Sequence, residues 1–303
     1  MKPLAGLRIL VCGKGGSGKS SVVTLMSHVL HDQGYNVLLL DGDASNPGGL
    51  ARLVFGLKKG PKPLIDFFGG RERVECPVDD PSPLTRKGDS IPVTEKPIDL
   101  AELPPSYYVQ KNNITLFQVG KIQNSYEGCD GPMSKITRDY IVKGEHVMLI
   151  DVEAGIEHFG RGVEKNIDIV LVVVDPTYES FTIAERVTKI CNLMGIERVW
   201  VIINAVQSEF MKSTMIKELR KKKTEIFGSI TYDHEIAKAG LMGDAIDGSK
   251  AKNDIVKIAK KLEDFMLILP QNRSNKKKGK ILDELKSVAD TTYKKMTSII
   301  NRI

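Results

Sequence analysis

The 303-residue sequence is poor in cysteine, with four, and in tryptophan, with one, and it has no apolar run near the ~20 residues that span a bilayer. The cysteines form no C-x-x-C pair, which argues against a disulfide framework and against a zinc site within one subunit. The first apolar run, residues 7–12, is short and leads directly into a glycine-rich loop, unlike a signal peptide. We therefore expect a cytoplasmic protein. Its cysteines are Cys12, Cys76, Cys129 and Cys191.

The formal net charge is +6, and residues 271–303 carry all of it. We predict a basic linker at 270–280 and an amphipathic helix at 281–303, whose apolar residues recur three and four apart. The interpretation that we favour is docking of this helix on the core or on a second subunit. Acidic residues in the helix and the scarcity of aromatic residues argue against a membrane or a nucleic acid as its partner.

Buried strands alternate with amphipathic helices along residues 1–269. Continuous apolar runs of this kind are typical of a parallel sheet that is covered on both faces. The sequence therefore predicts an α/β fold with a doubly wound, mostly parallel sheet and helices on both faces. Strands are predicted at 7–12, 37–40, 114–119, 147–150, 169–174, 199–203 and 226–230, and helices at 20–33, 133–142, 179–194, 211–223 and 251–268.

Residues 58–110 are rich in proline and have little hydrophobic periodicity. We interpret them as an irregular surface insertion, a lid or a partner-binding element.

The segment Gly13–Ser20 satisfies the phosphate-loop pattern G-x-x-x-x-G-K-[ST] between a predicted strand and a predicted helix. Glycines turn backbone N–H groups inward, and the helix N-terminus adds partial positive charge. We expect Lys19 to contact the β- and γ-phosphates of a nucleoside triphosphate and the Ser20 hydroxyl to ligate Mg²⁺. The remaining nucleotide contacts are assigned to Gly15, Gly16, Ser17, Gly18 and Ser21.

Three aspartates follow predicted strands, at the edge where an open α/β sheet binds its ligands. We assign Asp151 to accept hydrogen bonds from Mg²⁺-bound water and Asp41 to a place near the metal shell. Asp43 is the candidate that positions the attacking water. Asn204 follows the strand 199–203, where its amide could contact an adenine edge or simply occupy a turn.

The run Lys14–Ser20 resembles the deviant Walker A motif, K-G-G-x-G-K-[ST], of the MinD, ParA and nitrogenase iron protein class. The resemblance covers residues 7–265 and implies a P-loop ATPase domain at 1–269 that forms an ATP-dependent homodimer. It also implies that Lys14 reaches the partner's phosphates across the interface. Asn204 matches the adenine-binding asparagine of that class, and Tyr232 and Asp233 fall where further base contacts are expected.

Residues 151–162, D-V-E-A-G-I-E-H-F-G-R-G, resemble the second switch segment of CooC-type ATPases, which assist nickel insertion into carbon monoxide dehydrogenase. That family implies Ni²⁺ or Zn²⁺ at the dimer interface, held by a C-x-C pair from each subunit. Here the matching place reads Cys129-Asp130-Gly131, and the second cysteine is missing. Cys129 is the candidate ligand, with Asp130, Cys76 or solvent to complete the shell; a free thiol is the alternative.

The sequence thus predicts a Mg²⁺-dependent ATPase that hydrolyses ATP to ADP slowly and acts as a dimeric switch. The resemblance implies a metalloenzyme client, carbon monoxide dehydrogenase-like or a corrinoid protein. The alternatives are a positioning ATPase of the MinD or ParA kind and a reductase subunit with a shared iron–sulfur cluster.

Overall fold

The computed structural model describes residues 2–46, 48–122, 126, 128–153, 156–162, 165–246 and 250–268. By its internal contacts the chain divides into Met1–Asp264 and Phe265–Ile303, and the fold described here is that of the first unit. The predicted linker 270–280 and helix 281–303 lie outside the described residues.

Within the described residues, eight strands form one sheet in the order β3-β4-β2-β5-β1-β6-β7-β8. The pairs are parallel except β3 with β4, a hairpin at one edge. The predicted fold class is therefore confirmed. The strands are β1 Arg8–Gly13, β2 Val37–Gly42, β3 Val109–Lys111, β4 Ile114–Gln118, β5 Val147–Val152, β6 Ile169–Val174, β7 Val199–Val206 and β8 Ile226–Thr231.

Helices cover both faces of the sheet. Alternate residues of each strand point to opposite faces, so each face has its own set of side chains against which helices pack. Leu10 and Cys12 of β1 belong to a core cluster with residues of α4, α6 and α7. On the other side α1 contacts β1, β2 and β5, and α9 packs its Ile258 against Gly228 of β8. The helices are α1 Lys19–Asp32, α2 Gly49–Phe55, α3 Leu64–Phe67, α4 Gly131–Asp139, α5 Glu157–Gly160, α6 Tyr178–Leu193, α7 Glu209–Lys221, α8 His234–Met242 and α9 Ala251–Ile268.

The segment 58–110 contains little helix or strand beyond α3 and the start of β3, but it is not only a surface element. Its apolar side chains join the core cluster over α4, and Phe68 and Val93 are fully buried. The Arg73 guanidinium supports this irregular backbone by donating to the carbonyl oxygens of Phe68, Thr85 and Arg86. Periodicity could not reveal this burial, because the buried residues lie at irregular spacing.

No helix among the described residues combines the length and apolarity that crossing a membrane requires.

Candidate functional site

The loop between β1 and α1 needs glycine at defined positions. Gly13, Gly16 and Gly18 have φ values of +142°, +78° and +93°, which favour glycine. A Cβ on Gly13 would lie 2.3 Å from the Val173 carbonyl oxygen, so a side chain there is excluded. No side chain caps the start of α1, and its first turn has no acidic residue. The backbone N–H groups of this turn are therefore available to an anion.

The loop lines an open cleft of about 330 Å³ together with the segment after β2. Lys19 is largely buried, and its ammonium donates to the Lys14 carbonyl oxygen at 3.2 Å. The structure thus places most of the predicted phosphate-binding residues in one cleft with Asp43. Ser17 is buried and does not line it. The lining residues are Gly15, Gly16, Gly18, Lys19, Ser20, Ser21, Asp43, Ser45 and Asn46.

Asp151, near the end of β5, is joined to this loop. The Ser20 hydroxyl donates to its Oδ2 at 2.6 Å, while its buried Oδ1 has no hydrogen-bond partner. Burial raises the pKa of Asp151 from 3.8 to about 7. A buried carboxylate oxygen without a partner beside a serine hydroxyl is a donor set that fits Mg²⁺, which prefers oxygen ligands and retains waters.

Asp41 is the register partner of Asp151 on the neighbouring strand, but both of its oxygens are engaged elsewhere. Its Oδ1 accepts from the Lys121 ammonium at 2.8 Å, and its Oδ2 accepts from the Leu50 N–H. Both ion-pair side chains are almost fully buried. Asp41 therefore has a structural partner at each oxygen, and its place near the metal shell stays a prediction.

Asp43 remains available at the rim of the cleft. Its Oδ1 accepts from the N–H and the hydroxyl of Ser45, which fixes the carboxylate beside the phosphate loop. Lys121 also donates to the Asp43 carbonyl oxygen. The buried Lys121 ammonium thus fixes the backbone of the segment that carries Asp43.

Lys14, the additional lysine of the loop, contacts residues of its own chain. Its ammonium donates to Asp175 Oδ2 at 3.2 Å and to Thr177 Oγ1 at 3.1 Å. Burial opposes ionisation of Asp175, but hydrogen bonds from Thr177 and Lys14 outweigh it and lower the pKa of that carboxyl. The ammonium is partly exposed, so it is held but not enclosed.

Asn204 packs directly over the phosphate loop. Its side-chain nitrogen donates to the Ser17 carbonyl oxygen at 2.8 Å, so the amide also fixes the loop. Tyr232 is exposed. The Asp233 carboxylate accepts from the N–H groups of Glu235 and Ala251, at the starts of α8 and α9. Contacts of these three residues with a base stay predictions.

Cys129 lies just before α4 and is exposed. Its neighbour Asp130 forms an ion pair with Arg161, which follows α5, so Asp130 is not a free ligand. In the described part of the chain, no three cysteine, histidine or acidic side chains are grouped to hold a metal ion. The structure therefore does not complete a metal shell around Cys129 within one subunit.

Comparison with known proteins agrees with this geometry. Residues 9–246 match the CobQ/CobB/MinD/ParA nucleotide-binding domain family. The chain belongs to this family. An uncharacterized ATP-binding protein of Methanocaldococcus jannaschii is 36% identical over 260 residues, which cover 84% of this chain and 100% of that protein.

The resemblance to CooC, which the second switch segment indicates, is confirmed as overall similarity. The carbon monoxide dehydrogenase accessory protein CooC of Rhodospirillum rubrum is 28% identical over 247 residues, which are 78% of this chain and 88% of that protein. Among solved structures, the MinD cell division protein of Aquifex aeolicus has a TM-score of 0.57 at 21% identity. That match covers 88% of this chain and 100% of the MinD chain, and it shows the shared fold.

Sequence reasoning missed two charged residues at this CobQ/CobB/MinD/ParA-family site. Asp175 directly follows β6, the position that singled out Asp151, so the same criterion would have found it. Lys121 follows β4. Its role could not be recognised from the sequence, because a lysine after a strand is not typical of any one function. Its burial against Asp41 is visible only in the fold.

Asp151→Asn is predicted to change the pH dependence of stability of the protein without nucleotide or Mg²⁺. Because the folded-state pKa is raised, wild type loses stability as pH rises from about 4 to about 7. The stability gain of the variant over wild type should be on the order of 2 to 3 kcal/mol larger at pH 8 than at pH 5. Urea unfolding in a chelator checks this, and a pH-independent difference would contradict it.

Gly18→Ala is predicted to destabilise the protein more than Gly16→Ala. Both residues have positive φ, so each alanine carries a conformational cost of roughly 1–2 kcal/mol. Only at Gly18 would the new Cβ meet the Asn204 amide nitrogen, at 2.2 Å, whereas nothing lies within 4 Å at Gly16. Displacing that amide from Ser17 should add about 1 kcal/mol. Equal losses in chemical unfolding would show that Asn204 does not brace the loop.

Proposed function

We propose that this protein is a cytoplasmic, Mg²⁺-dependent ATPase that hydrolyses ATP slowly and acts as a dimeric switch in metalloenzyme maturation. The observation that carries the proposal is the cleft in which Lys19, Ser20 and Asp43 converge, with Asp151 bonded to Ser20. Family membership and the similarity to ATP-binding proteins support the choice of nucleotide.

The site residues divide into phosphate binding, metal support and water positioning. The N–H groups of the loop and the Lys19 ammonium bind phosphate oxygens, for which Lys19 exchanges its bond to the Lys14 carbonyl. Ser20 and Asp151 would hold Mg²⁺ directly or through water, where it would neutralise phosphate charge. Asp43 orients the attacking water, with its carboxylate fixed by Ser45.

Lys14 is the residue on which the proposal of a dimer rests. Its partners Asp175 and Thr177 belong to its own chain and leave the ammonium partly exposed. Exchange of this single carboxylate for the partner's phosphates is electrostatically favourable, because a triphosphate carries more negative charge. ATP binding would thereby favour a face-to-face dimer, and hydrolysis would release it.

The client half of the proposal rests on the similarity to CooC, an accessory protein of carbon monoxide dehydrogenase. We propose a nickel or corrinoid metalloenzyme as client, and Ni²⁺ or Zn²⁺ as the ion transferred. The second switch follows β5 and contacts the Cys129–Asp130 segment through Arg161, which supports nucleotide-dependent control of that segment.

Lys14→Gln and Asp175→Asn form a matched pair that tests the dimeric switch. Lys14→Gln should bind ATP yet fail to dimerise, and its turnover should fall ~10²-fold, as on loss of one charge-stabilising group. Asp175→Asn frees Lys14 from its own subunit and should dimerise at lower ATP concentration than wild type. Analytical ultracentrifugation and phosphate release measure both. Wild-type behaviour of Lys14→Gln would refute the role of Lys14 across the interface.

Asp43→Asn is predicted to impair ATP hydrolysis while ATP binding and dimerisation are retained. The amide keeps the size of the carboxylate and leaves the phosphate loop intact, so the ATP-bound dimer should form. Turnover should fall by ~10²–10⁴-fold, because the group that orients water is altered. Single-turnover hydrolysis and ATP titration check the two effects, and unchanged turnover would remove Asp43 from the mechanism.

The client assignment is tested with nickel-free carbon monoxide dehydrogenase. Incubation with Ni²⁺, ATP and wild-type protein should raise carbon monoxide oxidation above the level without the protein. Lys14→Gln should give no increase. Activation that does not depend on the added protein would exclude this client.

A further inference from the structure

The Lys121 side chain places a buried ammonium against the backbone of Asp43. Lys121 follows β4, and only 3% of its side chain is exposed. Its ammonium donates to Asp41 Oδ1 at 2.8 Å and to the Asp43 carbonyl oxygen. The described residues that line the nucleotide cleft include Asp43 but not Lys121. Lys121 therefore contacts the main chain of a site residue from outside the cleft.

The chain on either side of Asp43 is bonded to the segment after β4. The Val119 N–H donates to the Asp41 carbonyl oxygen at 2.9 Å, and the Ile122 N–H donates to the Ala44 carbonyl oxygen at 3.1 Å. Between these two backbone contacts, the lysine ammonium is the donor to the Asp43 carbonyl oxygen. The lysine thus takes the place of a third backbone donor, and the main chain of Asp43 is fixed at that point.

Asp41 supplies the counter-charge that this ammonium needs. A lysine in a buried place loses its charge unless a carboxylate compensates it. A Cβ built on Gly49, where α2 begins, would lie 1.9 Å from Asp41 Oδ2 and 3.1 Å from the Lys121 Nζ. The start of α2 therefore packs directly against the ion pair. Both of its side chains are almost fully buried, so solvent does not compete for these contacts.

The position of the Asp43 carboxylate decides whether it can orient a water molecule for attack. Ser45 fixes the carboxylate through its N–H and its hydroxyl. Lys121 fixes the main chain from which the carboxylate extends. A shift of about 1 Å in a group that positions a reactant can lower the rate ~10²-fold. Loss of the Lys121 contact should therefore impair hydrolysis more than nucleotide binding.

We propose that Lys121 is a positioning residue for ATP hydrolysis that acts through Asp43. It holds the Asp43 main chain where the carboxylate can orient the attacking water, and Asp41 keeps the ammonium charged. The inference rests on the proposed role of Asp43 in hydrolysis. Because the two residues act as one unit, removal of Lys121 should matter only while the Asp43 carboxylate is present.

Single-turnover ATP hydrolysis by Lys121→Met, alone and combined with Asp43→Asn, tests this dependence. Alone, the substitution should lower turnover ~10–10²-fold and leave the dissociation constant of ATP within about threefold of wild type. In the Asp43→Asn background it should lower turnover further by less than about threefold. The same large factor in both backgrounds, or a loss of ATP affinity with unchanged turnover, would overturn the inference.

Lys135→Met is the matched control. The Lys135 ammonium is also buried, with 4% of the side chain exposed, and it also pairs with an aspartate, Asp80. It donates to the Asp80 carbonyl oxygen at 3.2 Å, but it lies on α4 and contacts the segment 58–110. Lys135→Met should lower the unfolding midpoint and hydrolyse ATP like wild type. If its turnover falls as much as that of Lys121→Met, loss of any buried lysine suffices and Lys121 has no particular role.

A second variant covers the case in which Lys121→Met does not fold. That substitution leaves Asp41 as a buried carboxylate without a counter-charge, which is strongly destabilising. Asp41→Asn/Lys121→Met removes both charges and is compared with Asp41→Asn. The two variants should have similar unfolding midpoints, and the double variant should hydrolyse ATP ~10–10²-fold more slowly. Equal turnover of the two would contradict positioning by Lys121.

The same measurements separate this inference from the proposed function. Absence of ATP hydrolysis by wild type, or wild-type turnover of Asp43→Asn, would refute the proposed mechanism and the positioning of Asp43 with it. Impaired turnover of Asp43→Asn together with wild-type turnover of Lys121→Met would refute the role of Lys121 alone.

Discussion

The hydrogen bond from the Ser20 hydroxyl to Asp151 joins the phosphate loop to β5, the strand that leads into the segment resembling the second switch of CooC-type ATPases. It holds one oxygen of a carboxylate that is otherwise buried and leaves the other without a partner. A buried carboxylate in this state favours protonation, and a cation at the free oxygen reverses that preference. The buried Asp151 carboxylate is therefore a cost that folding imposes, and a cation bound at its free oxygen would relieve that cost.

The Lys121–Asp41 ion pair makes this arrangement compatible with folding. Asp41 and Asp151 are register partners on adjacent strands, so two buried carboxylates lie side by side. Like charges in one buried site cannot both ionise without compensation. Lys121 pairs with Asp41 and donates to the Asp43 carbonyl oxygen. Asp41 is thereby engaged, whereas Asp151 keeps one oxygen without a partner and Asp43 lines the cleft. The buried Lys121 ammonium thus gives the three aspartates different environments.

Much of the fold and the nucleotide site could be predicted from local sequence, because continuous apolar runs mark the parallel strands and glycine spacing marks the loop. Strands β1 and β6 and helix α9 lie within a residue of their predicted bounds. Short elements escaped prediction: α2, α3, α5 and α8 have nine residues or fewer and few turns of periodicity. The partners of Asp41 and Lys14 escaped because they join residues 80 and 161 positions apart. Such pairings depend on strand order, which hydrophobic patterns do not encode.

A second long-range contact joins the segment after β5 to the residues before α4. Asp151 leads from β5 into the second switch, and Arg161 near the end of that segment pairs with Asp130, the neighbour of Cys129. Arg161 therefore fixes Asp130, the neighbour of Cys129, to the segment that follows β5. His158 lies in the same segment, buried and without a partner at Nε2, and burial lowers its pKa to about 3. A neutral imidazole adds no charge between Lys19 and Arg161, so the Arg161–Asp130 ion pair is a charged contact between this segment and the residue before α4.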